Sequence, residues 1–143
     1  MAVGDLLDAF ALIALAADEP AAADVELLLH RGQAATTAIG LAEAIDVLER
    51  RHAQSADILR AGLGPLLDAF VRVVSVDEAL AWRAAALRAR HYDRRTRPLS
   101  LADCVLLAAA GPDDAVATGD RPLMDAAQAE GIAVIPLAVS SDP

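Results

Sequence analysis

Four carboxylates, Asp8, Glu43, Asp103 and Asp120, stand where apolar β-like or helical sequence gives way to the start of a helix. They are spread over nearly the whole chain. Acids that lie far apart in sequence and converge at one edge of an α/β sheet are a common way to hold a hard divalent cation through oxygen. Such an ion beside a phosphate supports hydrolysis. Each acid also has a plainer reading. Asp103, three residues after Ser100, completes a capping box. Asp120, ahead of Arg121-Pro122, complements a helix macrodipole, and Glu43, three residues after Gly40, does so in a first turn. Asp8 ends a strand at a turn position. Alone, each acid is explained this way; the conjunction of four points to a site.

The elements that must position them follow from periodicity and punctuation. A strand over 3–7 ends at Asp8, and a helix covers 11–17. Pro20 suits the first turn of a second helix running to about 30. A small strand over 34–38 precedes a helix opened by Gly40 and reaching about 52. On that helix Leu41, Ile45, Leu48 and His52 share one face, while Glu43, Asp46 and Arg50 share another. A further helix starts near 55 and is interrupted by Gly62 and Gly64-Pro65. The alternating FVRVVSV segment, 70–76, is the clearest strand, and Asp77 caps a helix to about 92. Ser100 caps a helix to 110. Then come a strand over 115–118, a helix over 120–130 and a final strand over 132–137.

Strands alternating with helices predict an α/β fold of three layers, α/β/α, around a central, mostly parallel sheet. Right-handed crossovers bring the carboxyl ends of parallel strands to one edge. Asp8, Glu43 and Asp120 follow strands and should meet there. Asp103 follows no strand, and its presence at that edge does not come from topology.

Composition narrows the function classes. With 143 residues the chain suits one domain, expected over 1–139 with a frayed tail over 140–143. Apolar residues reach 56% but aromatics only 3%, so the core must be built from Ala, Leu, Val and Ile. The net charge of −9 argues against a basic nucleic-acid coat protein, though not against a nuclease whose metal site is itself anionic. Basic charge is concentrated instead. Arg83, Arg88, Arg90, Arg94, Arg95 and Arg97 face a single acid, Asp93. Cys104 is the one cysteine, so no internal disulfide forms. The run AFALIALAA, 9–17, mimics an export signal, but the preceding Asp5 and Asp8 carry the wrong charge. It also falls short of the ~20 residues that cross a bilayer. A soluble, cytoplasmic protein is expected.

The segments LLDAFALIAL (6–15), TTAIGLAEAIDVLERR (36–51), LSLADCVLLAAA (99–110), AVATGDRPLMDAA (115–127) and GIAVIPL (131–137) resemble a PIN-domain protein, and among these the VapC-type toxins of toxin–antitoxin pairs. The resemblance runs over nearly the full chain in order and spacing. It implies a PIN-like fold and a Mg²⁺- or Mn²⁺-dependent ribonuclease, with Asp8, Glu43, Asp103 and Asp120 as catalytic metal ligands. It further implies a small VapB-like antitoxin covering the acidic groove, and a homodimer. Two positions depart from the family pattern: Phe10 stands where Ser or Thr is common, and Gly40 where Asn is common. They motivate an alternative, a catalytically silent module that binds RNA or a partner.

Water attack assisted by the metal leaves a 5′-phosphate and needs no catalytic histidine. His30, His52 and His91 show no ligand or dyad spacing, which agrees. Two divalent ions would cancel the repulsion among four acids, or one ion would serve with one acid partly protonated. Arg94, Arg95 and Arg97 are candidates to grip the RNA backbone, or else they form a solvated helix end. Thr118 is a candidate contact to substrate or to a site carboxylate. Tyr92 is a candidate base-stacking ring, Trp82 a core or subunit contact, and Cys104 a small core residue.

Overall fold

Five strands in the order β3-β2-β1-β4-β5, all parallel, form the centre of the molecule. This computed structural model describes residues 3–140, so the end of the expected tail, 141–143, lies outside the described residues. In chain order the elements are β1 (Asp5–Leu7), α1 (Ala9–Ala17), α2 (Ala22–His30), β2 (Ala34–Thr37), α3 (Ala38–Arg51), α4 (Ala56–Phe70), β3 (Arg72–Val74), α5 (Glu78–His91), α6 (Leu101–Ala109), β4 (Ala115–Thr118), α7 (Arg121–Ala129) and β5 (Ala133–Pro136).

The strands are short and built from small side chains, AATT in β2 and AVAT in β4, which lets helices approach the sheet closely. Successive residues serve opposite faces. Leu6 and Val116 join α5, α6 and α7 in one core through Leu80, Leu106 and Leu123. Leu7 and Ala117 join α1, α2 and α3 through Leu12, Val25 and Ala44. A third cluster, Leu48 with Leu59 and Leu63, anchors α4. None of the helices among the described residues is long and apolar enough to cross a membrane.

Helix starts gather at the carboxyl edge of the sheet. Asp8, Thr37 and Asp77 each accept a hydrogen bond from the backbone N–H three residues on, capping α1, α3 and α5. Asp120 occupies the equivalent position before α7. The strand order reverses direction between β1 and β4, so a crevice opens beyond the ends of those two strands. Asp8 and Asp120 are the residues that flank it.

Three expectations are corrected. The helix α4 runs unbroken through Gly62, Gly64 and Pro65. Leu59, Leu63 and Leu67 hold its inner face, and tertiary packing outweighs the helix-breaking preference of Gly and Pro. The segment 70–76 yields only the three-residue edge strand β3, because Phe70 still belongs to α4 and the strand is solvated on one side. Thr37, not Gly40, opens α3, which moves Glu43 beyond the first turn. Its position is therefore not explained by the helix macrodipole.

Candidate functional site

Asp8 is the most constrained of the four acids. It is 4% exposed, with Oδ1 accepting from the Ala11 N–H at 2.9 Å. Its Oδ2 accepts a short hydrogen bond from the Thr118 hydroxyl. That hydroxyl in turn accepts from the Asp120 N–H at 2.9 Å. A continuous chain, Asp120 N–H to Thr118 to Asp8, thus ties the ends of β1 and β4 together. Burial raises the Asp8 carboxyl to about 7 against the pull of these two hydrogen bonds, and the charges of Asp103 and Asp120 raise it further.

Asp103 sits in the first turn of α6. Its backbone N–H donates to the Ser100 hydroxyl at 3.0 Å, and its Oδ2 accepts from the Ser100 N–H at 3.3 Å. The capping box is therefore real. It coexists with site membership, because one carboxyl oxygen remains free. Burial raises this acid to about 6, with Asp120 and Glu43 adding repulsion and the Ser100 bonds opposing it. Glu43 is also raised, first by burial, then by Asp120 and Asp46, and its Oε2 is buried with no hydrogen-bond partner. Asp120 is raised by burial. The Leu123 N–H opposes this without reaching the geometry of a cap hydrogen bond.

Asp120 is the hub, since Asp8, Glu43 and Asp103 all feel its charge. Asp8, Glu43 and Asp103 therefore each lie within reach of the charge of Asp120. They are gathered without being clenched: among the described residues no three His, Cys, Asp or Glu side chains form a ready-made ligand set. Charge coupling acts over longer distances than coordination, so both observations hold. Partly buried oxygen donors raised first by burial, three of them also by neighbouring like charge, and one an orphaned Glu43 oxygen, suit a hard divalent cation. Added positive charge would favour the ionised form of all four.

Of the other candidates, Thr118 belongs with the acids. Thr118 is fully buried, so its hydroxyl serves Asp8 and is closed to a substrate. Arg97 is not a free phosphate grip. Its guanidinium donates to His91 Nδ1 at 3.0 Å, and His91 Nε2 lies 3.0 Å from Glu130 just past the end of α7. That end is roughly 13 Å from Asp120 along the helix axis. Arg94 and Arg95 are exposed in a loop folded around Asp93, which accepts from the Arg95 and Thr96 N–H groups. Arg88 lies 4.2 Å over the Tyr92 ring, covering the face a base would use. Trp82 is 72% exposed and so is not core, whereas Cys104 is buried as expected, its thiol pushed up to about 11 by burial. Asp46 pairs with Arg50 at 2.7 Å, outside the site.

Reasoning from sequence missed Gly119. A Cβ there would stand 2.6 Å from two ring atoms of Phe10, so the ring lies directly on this backbone, between Thr118 and Asp120. A glycine between a strand-ending Thr and a helix-capping Asp is the signal that marks it.

The PIN domain family model matches residues 6–135. The fold is similar to the crystal structure of PAE2754 from Pyrobaculum aerophilum, with a TM-score of 0.62 and 24% identity, covering 94% of this chain and 92% of that one. No curated protein matches significantly.

Proposed function

From the premise that the chain belongs to the PIN domain family, whose fold is that of metal-dependent nucleases, we propose that it is an endoribonuclease dependent on Mg²⁺ or Mn²⁺. Asp8, Glu43, Asp103 and Asp120 are its metal-binding catalytic set. The observation that carries this reading is the Asp120–Thr118–Asp8 hydrogen-bond chain at the crevice between β1 and β4, with the like charge of Asp103 and Glu43 beside it.

When bound, the cation supplies a water of lowered pKa and neutralises charge on the phosphate. The chain supplies the rest. Thr118 fixes the rotamer of Asp8, the Ser100 box fixes Asp103, and the orphaned Glu43 oxygen is the donor freest to reorient. The raised carboxyls of Asp8 and Asp103 reduce the negative charge that the four acids carry without a cation.

The same reading extends to a VapC-type toxin acting in the cytoplasm and held in check by a VapB-like antitoxin. An apolar cleft of about 240 Å³ between α3 and α4, lined by Leu41, Ile45, Leu59 and Leu63, adjoins the Glu43 helix and suits an apolar partner segment. A homodimer is supported by the exposed Ile39, Val76 and Leu101 around a second apolar groove.

Incubating the protein with total tRNA and Mg²⁺ or Mn²⁺, beside Asp8→Asn, tests the central claim. Cation-dependent cleavage by the wild type alone supports it. Equal background in both proteins sinks it and leaves the silent binding module.

A further inference from the structure

The ring of Phe10 has no role in the chemistry above, yet it packs at the edge of the α1–α2–α3 core directly on Gly119, the residue between Thr118 and Asp120. Phe10 is the second residue of α1, two past Asp8, and is only half-buried. Its Cε1 and Cζ atoms cover Gly119, and the exposed Val139 flanks the same glycine from another side, with Cγ1 3.0 Å from where a Cβ would be. One small apolar surface thereby spans the two segments that carry Asp8 and Asp120. Any side chain at 119 would lift the ring away, so glycine is what permits this seating.

The other aromatics are engaged elsewhere. Tyr92 lies under Arg88, Phe70 meets His30 edge-on, and Trp82 donates to Glu78 on the outside of α5. A phenyl ring offers no oxygen ligand to a hard cation and no hydrogen bond to the acids. It does match the flat apolar face that every nucleobase presents, one sugar away from the phosphate to be cut.

We propose that Phe10 is a stacking platform for the nucleobase next to the cleaved phosphate, a substrate subsite that rests on the ribonuclease reading. The ring positions the RNA strand so that its phosphate faces the carboxylates, and it accepts any base, because stacking reads the π-face and no hydrogen-bonding edge.

The test uses the position at which the wild type cuts total tRNA in Mn²⁺. A short RNA spanning that position is made intact and with a single abasic nucleotide on either side of the cut. KM and kcat are measured for the wild type, Phe10→Leu, which keeps an apolar side chain without a π-face, and Phe10→Tyr, which restores one. Stacking predicts that Phe10→Leu raises KM roughly 10-fold on intact RNA with kcat within about twofold, while Phe10→Tyr stays near wild type. One abasic RNA should impose the same rise on the wild type and no further rise on Phe10→Leu. Penalties that multiply, or a wild type indifferent to both abasic RNAs, overturn the subsite while leaving the ribonuclease intact. A wild type that cuts no RNA overturns both. The abasic arm needs no variant, so it decides even if Phe10→Leu fails to fold.

Discussion

Asp8 and Asp114 are the same residue, equally buried at 4% and 2% exposure, and lie at opposite ends of the same pair of strands. Their surroundings differ completely. Asp114 accepts from three backbone N–H groups, those of Val3 at 2.6 Å and of Gly4 and Gly111 at 2.7 Å. Burial pushes its carboxyl up, but these three bonds outweigh it and leave the group below its ordinary value. Asp8 has one backbone donor and one hydroxyl, faces two like charges, and is held at about 7. Burial of an acid therefore says little about function. Asp114 is satisfied as a structural clamp, whereas Asp8 is left short of positive charge, which is the property that the proposed metal site draws on.

The widest separation between the two should come from replacing each with its amide. Asp8→Asn is expected to lower RNA cleavage by about 100-fold or more, equivalent to ~2.7 kcal/mol of lost transition-state stabilisation. Asp114→Asn turns an NH₂ toward a backbone N–H. It should cost ~1–3 kcal/mol of stability in urea titration, with activity per folded molecule unchanged. A catalytic defect in Asp114→Asn that persists at full folding would erase the contrast.

Acid titration sharpens it further. Asp8 and Asp103 bind protons in the folded state up to about 7 and about 6, well above their ordinary carboxylate range. Between roughly pH 4 and 7 the folded protein thus holds more protons than the unfolded chain, and stability without metal falls as pH rises. The expected loss between pH 5 and pH 8 is on the order of a few kcal/mol, seen as a falling Tm. Mn²⁺ should reverse it at pH 8, and Asp8→Asn should flatten it. A metal-free Tm that climbs steadily from pH 5 to 8 would contradict the raised carboxyls. Asp114 works in the opposite sense: its contribution is present at neutral pH and is lost as pH falls through the carboxylate range.

Smaller effects belong to the side chains that hold the acids in place. Thr118→Val breaks the link from Asp120 to Asp8 and should weaken Mn²⁺ binding by roughly 10- to 100-fold in calorimetric titration. Ser100→Ala removes half of the capping box and should cost about 1 kcal/mol of stability. Its effect on Mn²⁺ affinity should be smaller than that of Thr118→Val, since the Asp103 carboxylate is held by only one of the two box bonds.

Much of this arrangement was legible in the chain. The β4 segment, the caps Asp77 and Ser100, and the strand–helix alternation declared themselves because local chemistry and tertiary context agree there. Asp103 did not, since α6 follows a helix and only its packing against α5 and α3 turns it toward the crevice. Pro65 misled because breaker residues speak for the isolated helix, whereas Leu59 and Leu63 speak for the packed one. The Arg-rich loop was legible only as a concentration of charge, since the hydrogen bond from Arg97 to His91 joins residues whose side-chain pairing no local pattern announces.

The clamps at the two ends of the central strand pair have a shared consequence. Asp114 fastens Val3 and Gly4 at one end, Thr118 fastens Asp8 at the other, and the four residues of β4 set the interval between them. A single inserted or deleted residue in Ala115–Thr118 would release both fastenings at once. The spacing of the edge that carries Asp8 and Asp120 is in effect gauged from the opposite end of the strands, by a residue outside the proposed site.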